Sequence, residues 1–141
     1  MTFVNILSTK KISFYYVIIS GAYLLSLFVL PDGYWNYSPV FYMLFGPFIL
    51  IVLNYYLGTQ LNLYTAEKHP DLMEKYAIHF GIGKGQNLNQ LNLLQNRKDF
   101  YKRDDDQLSR LLKLYIRSLT LFVISFATLS LVIVRIAMMW S

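Results

Sequence analysis

The sequence predicts an all-α fold, with three transmembrane helices and a small cytoplasmic helical segment between the second and the third. Three observations predict it. Of 141 residues, 55% are apolar and 15% charged. The apolar residues gather in three long runs, where a soluble core would need them spread along amphipathic elements. Ten of the thirteen Lys and Arg lie between the second and third runs.

The first run, Ile12 to Leu30, has no charge and no proline. As a helix its nineteen residues reach about 28 Å, one hydrocarbon core. It is longer than a signal-peptide core, and Leu30-Pro31-Asp32-Gly33 lacks a small-x-small cleavage pattern, so a retained anchor is expected. The second run, Val40 to Leu57, is also uncharged. Gly46-Pro47 removes a backbone donor near its middle and should kink it. The third run, Ser118 to Trp140, carries a single charge, Arg135.

Orientation follows from the basic residues near the membrane ends. Lys10 and Lys11 precede the first span. The connection PDGYWNYSP has no Lys or Arg. Segment 58–117 carries ten basic and seven acidic residues, a net +3. The N-terminus and that segment are therefore expected in the cytoplasm, against an anionic inner leaflet, with the C-terminus outside. Acids interspersed among the bases argue against nucleic acid. Tyr34, Trp35 and Tyr37 outside, Tyr55 and Tyr56 inside, and Trp140 outside read as aromatic belts.

Three regions are expected: a two-span hairpin over 1–57, a cytoplasmic lobe over 58–104, and a long C-terminal helix over 105–141. In the lobe, TQLNLYTAEKH extends the second helix towards Pro70. Pro70 opens a new helix, with Asp71 and Glu74 near its positive end. Met73, Tyr76, Ala77 and Phe80 fall on one face of it, and Gly81, Gly83 and Gly85 end it. NLNQLNLLQN places Leu88, Leu91 and Leu94 at helical spacing, in a marginal helix or a loop. Asp104 is the expected N-cap of the last helix, with Gln107 as its capping-box partner. Leu108, Leu111, Leu112, Tyr115, Ile116 and Leu119 then form an apolar stripe, with Arg110, Lys113 and Arg117 off it. The helix is expected to run unbroken from Asp105 to Trp140, about 54 Å.

The chemistry-bearing motifs are sparse. Absent cysteines exclude disulfides, thiolate metal sites and thiol catalysis. GIGKG at Gly81–Gly85 lacks the strand, spacing and Ser/Thr of a phosphate loop and reads as a turn. His69, Asp71, Glu74 and His79 match no metal-ligand spacing and read as surface residues. Asp104–Asp106 has no histidine nearby in sequence, and capping accounts for it. No catalytic constellation and no cofactor are expected.

The span features carry more. Ser20-Gly21-Ala22, and Ser118, Thr120, Ser125, Thr128 and Ser130, offer close packing or interhelical hydrogen bonds. Arg135 either snorkels to the outer headgroups or lines a polar path, with Asp32 the only acid on its side.

The last third, from Arg97 to Trp140, resembles the end of universal stress protein B, a family of small bacterial inner-membrane proteins. The shared pattern is Tyr101-Lys102-Arg103, the acids Asp104 to Asp106, the basic amphipathic stretch Arg110 to Arg117, and the closing Met138 to Trp140. This chain is longer and has an extra span. The resemblance implies a bacterial inner membrane and a link to stress. It carries over no catalytic residues.

Two functions fit these readings. One is an interaction or accessory subunit of a membrane complex, docked through the Leu108–Leu119 stripe to a protein partner. The other is a homo-oligomeric pore or membrane-perturbing effector, drawing on Arg135, the hydroxyls of the third span and the kink.

Overall fold

The computed structural model describes residues 7–29, 37–79 and 86–139; the side chains at 27, 28, 79, 86, 131, 132, 135, 136, 138 and 139 fall outside that description. Helix α1 runs over Thr9–Val29 and α2 over Ser38–Met43. A π-helical turn, Leu44–Phe48, leads into α3, Ile49–Lys68. Then come α4 (Pro70–Tyr76), β1 (Ala77–His79), β2 (Gln86–Leu88), α5 (Gln90–Gln95), α6 (Arg97–Tyr101) and α7 (Asp106–Met139).

The chain is mostly helical, as expected, with one departure. β1 and β2 form a two-stranded antiparallel sheet, with Ala77 opposite Leu88 and His79 opposite Gln86. The helix opened by Pro70 therefore ends at Tyr76 and does not reach Phe80. Its last residues pair with another strand, where a seven-residue helix alone would be marginal. GIGKG follows a strand and not a helix; its own residues, like Phe80, lie outside the described ones.

Two described helices are long and apolar enough to cross a membrane, not three: Ser38–Lys68, counted through the π turn, and Asp106–Ser130. α1 is helical over the expected first span but opens on Thr9-Lys10-Lys11, and the side chains at 27 and 28 near its apolar end are not described.

Gly46-Pro47 does interrupt the α-helix, as a π-helical turn. Proline has no N–H, and its ring crowds the carbonyl four residues back; a wider turn accommodates both. The Tyr15 hydroxyl donates to the Phe45 carbonyl within that turn. A Cβ at Gly46 would stand 3.3 Å from the Tyr42 ring, so glycine lets that ring lie against the backbone.

The chain divides into two compact units. One comprises residues up to Asn54 together with those from Arg117 onward; the other is Tyr55–Ile116. The expected boundaries at 57 and 104 differ, because the amphipathic start of α7 belongs to the second unit.

In the first unit Tyr23, Tyr42 and Leu129 form a buried cluster with Ile19 packed on it. The Tyr23 and Tyr42 rings stack with centroids 4.2 Å apart. Polar groups are buried beside them. Ser20 Oγ and Tyr42 Oη lie 3.1 Å apart, Ser26 and Ser38 hydroxyls 2.6 Å apart, and Asn54 Nδ2 donates to Ser118 Oγ at 3.0 Å. Many large apolar side chains point outward: Phe14, Val17, Leu25, Phe41, Phe48 and Val52 are all more than half exposed, while Ile12, Leu50, Leu121 and Leu129 are buried.

The second unit is built the other way round. Leu57, Leu61, Leu72, Met73, Leu93, Phe100, Leu108, Leu111, Leu112 and Leu114 are buried, and most of its charges are exposed. The Tyr115 ring lies on the α3 backbone at Gly58, where a Cβ would meet it at 3.2 Å. In α5 the buried residue is Leu93. The spacing pointed to Leu88, Leu91 and Leu94, but Leu91 and Leu94 are exposed and Leu88 is buried from the strand.

Candidate functional site

The second unit gathers its most elaborate polar cluster at the start of α7. Asp104 takes a left-handed backbone, φ 50°, which Asp tolerates better than most residues. This places Asp105, not Asp104, as the N-cap. Its Oδ1 accepts the N–H groups of Gln107 at 2.9 Å and Leu108 at 3.0 Å. Leu108 therefore occupies the third helical position, and the expected capping box with Gln107 does not form.

The same carboxylate accepts the Tyr64 hydroxyl, 2.9 Å from Oδ2. It also lies 2.8 Å from His69 Nε2. Both side chains of this pair are largely buried, His69 16% exposed and Asp105 19%. Desolvation pushes the Asp105 carboxyl upward. The Leu108 N–H, His69, Tyr64 and the Gln107 N–H outweigh it and hold the group down at about 2. An ionised carboxylate can only accept, so Nε2 carries the proton.

His69 was expected on the surface and remote from the acids. It stands at the N-cap position of α4, just before Pro70, without a side-chain cap bond. α3, ending at Lys68, delivers Tyr64 and His69 to one point, and the segment after α6 delivers Asp105. Thirty-six residues separate His69 from Asp105, and no local pattern announces the pairing. A carboxylate–imidazole pair is also the orienting half of a nucleophilic relay. Thr65, four residues before His69, is fully buried, and the hydroxyl that shares Asp105 Oδ2 with His69 is that of Tyr64. The cluster is built to fix the junction of α3, α4 and α7.

A second cluster surrounds Asp99. The Tyr76 hydroxyl and the Lys75 ammonium both donate to Oδ2, and they hold this carboxyl below its usual range. Asp71, another of the four residues weighed for metal, pairs with Arg103. Among the described residues, no group of three or more metal-type side chains stands together.

The stripe expected to dock a partner is not surface. Leu108, Leu111, Leu112 and Tyr115 are at most 3% exposed, and Ile116 is half-buried. Their partner is the chain itself. Arg110, Lys113 and Arg117 are exposed. Lys113 Nζ stands over the Tyr101 ring at 5.8 Å, and Arg117 Nε donates to Ser13 Oγ at 2.9 Å.

The span hydroxyls divide. Ser20 and Ser118 bond across helices, as expected. Ser125, Thr128 and Ser130 donate to Phe122, Ile124 and Phe126 carbonyls of their own helix. Gly21 has nothing within 4 Å of where a Cβ would stand, so it is no close-packing point. Arg135 lies in helical backbone, but its side chain is outside the described residues, as are Asp32, Tyr34, Trp35 and Trp140. Between α1 and α2 lies a cavity of about 350 Å³, lined by Tyr23, Tyr42, Phe41, Phe45, Ser26 and Ser38 among others. It could take an acyl chain but offers no charge to fix a headgroup.

No protein family, curated protein or solved structure matches this chain.

Proposed function

We propose that this is a non-catalytic integral membrane protein, an interaction or accessory subunit of a membrane complex. In this reading it sits in a bacterial inner membrane with its N-terminus in the cytoplasm, and α1 completes a set of three spans. A stress-related setting is part of the same proposal and rests only on the resemblance of residues Arg97 to Trp140 to universal stress protein B. The observation that carries the reading is the broad apolar exterior of the first unit, where Phe14, Val17, Leu25, Phe41, Phe48 and Val52 are exposed while Ser20, Ser38, Asn54, Ser118 and Ser125 are buried beside a few leucines. In water such a surface would aggregate; in hydrocarbon it is the ordinary solution. The second unit is then a compact lobe at the cytoplasmic surface. Its own leucines are spent on its core, so a protein partner meets its polar exterior or the lipid-facing helices.

The test is native mass spectrometry of the chain extracted in mild detergent. Co-purification with different chains in fixed ratio supports the subunit reading. A homo-oligomer of defined copy number replaces it with the pore reading. Orientation is read by introducing one cysteine, Glu74→Cys, into this cysteine-free sequence. An impermeant thiol reagent should label it only after the cells are opened; labelling of intact cells would reverse the topology.

A further inference from the structure

The first turns of α1 and Arg117 of α7, both in the first unit, border a shallow, open cleft of about 510 Å³ lined by Thr9, Lys10, Ser13 and Arg117. Its chemistry is one-sided: two cations and two hydroxyls, with no carboxylate. No ion pair among the described residues involves Lys10 or Arg117.

The geometry is organised around Ser13. Its hydroxyl proton goes to the Thr9 carbonyl at 2.7 Å, and its lone pair accepts Arg117 Nε–H at 2.9 Å. One serine thus fixes the guanidinium by its inner edge and leaves the two outer nitrogens for another acceptor. A planar fork held this way matches two oxygens of a phosphate, and a flexible ammonium beside it adds a point charge. Lys10 is exposed and reaches the same space.

We propose that this cleft binds the phosphate of an anionic phospholipid headgroup from the cytoplasmic leaflet. The proposal rests on the membrane reading above. It adds a built lipid site to the diffuse attraction of a net +3 segment. A lipid is favoured over free phosphate because the same helix α1 carries the exposed apolar side chains Phe14, Val17 and Ile18 within about a turn and a half of Ser13, where acyl chains would lie.

The experiment reconstitutes the full chain and counts retained phosphatidylglycerol by native mass spectrometry. Three variants are compared: Lys10→Gln/Arg117→Gln, Ser13→Ala, and the charge-matched Lys98→Gln/Lys113→Gln outside the cleft. Retention should fall about fivefold for each cleft cation removed. Ser13→Ala keeps both charges and should still lose part of the retention, which keeps the test valid should the double variant fold poorly. Equal loss in the charge-matched pair would show bulk surface charge and overturn the site. So would unchanged retention in Ser13→Ala together with the cleft pair. Inorganic phosphate that binds the delipidated protein and displaces the lipid would assign the cleft to free phosphate instead. Flotation with vesicles of phosphatidylcholine alone tests membrane residence separately: a chain that fails to float sinks the membrane reading, whereas one that floats without headgroup preference sinks only this proposal.

Discussion

The two units of this chain place their polar and apolar side chains differently, as the proposed membrane reading requires of units facing different solvents. In Tyr55–Ile116 most leucines face inward and most charges outward. In the other unit Ser20, Ser38, Asn54, Ser118 and Ser125 are buried while Phe14, Leu25, Phe48 and Val52 are exposed. Burying leucine gains free energy only where the outside is water. Where the outside is hydrocarbon, helices gain more by pairing polar groups and stacking rings. If the first unit lies in hydrocarbon as proposed, exposure there means the reverse of exposure in the second unit.

Mutations can break this comparison, and the largest effect should come from the second unit's core. Leu112→Asp places a charge at a site with no exposure, and a loss above about 4 kcal/mol is expected. Limited proteolysis should then cut between residues 55 and 116. Partner release from an intact lobe would instead restore the stripe as a docking surface. Next comes the exposed face of the first unit. Val52→Asp should cost about 3 kcal/mol in membrane insertion, although Val52 is 53% exposed. Leu91→Gln, 65% exposed in the second unit, should change stability by no more than about 0.5 kcal/mol. Equal effects at these two sites would erase the distinction between the units.

Asp105→Ala removes a helix cap and the partner of His69 and Tyr64 together. A loss of about 2–3 kcal/mol in urea unfolding is expected. The pH dependence follows from the same carboxylate. Its pKa is lowered on folding, from about 3.8 to about 2. The stabilisation is therefore present above about pH 4 and is lost as pH falls towards 2. It amounts to about 2 kcal/mol or less, because the site is partly solvated. Asp99, also lowered, contributes in the same direction. Asp105→Asn should flatten the urea midpoint between pH 5 and 2, and an unchanged slope would assign the acid sensitivity elsewhere. The smallest effect belongs to the first unit's polar pairs. Asn54→Ala should cost about 0.6 kcal/mol in a steric-trapping or detergent-unfolding assay, the usual worth of an interhelical bond in a bilayer.

Much of the fold was legible from residues alone. Long uncharged apolar runs without a breaker read as helices from their length alone, and Pro70 and Gly46-Pro47 mark where helices start and deform because proline lacks a donor. The helix from Asp106 to Met139 follows from the Leu108–Leu119 stripe running without a proline into the apolar third run. These are local or near-local rules. What the sequence left open depends on contacts between distant residues. Whether Leu108, Leu111 and Leu112 face a partner or their own chain depends on what folds over them, since an amphipathic face is the same pattern in either case. The β1–β2 pairing wins over a longer α4 because a strand gains its hydrogen bonds from a segment seven residues away. His69 meets Asp105, and Arg117 meets Ser13, across 36 and 104 positions, and only the folded chain brings such groups within hydrogen-bond reach.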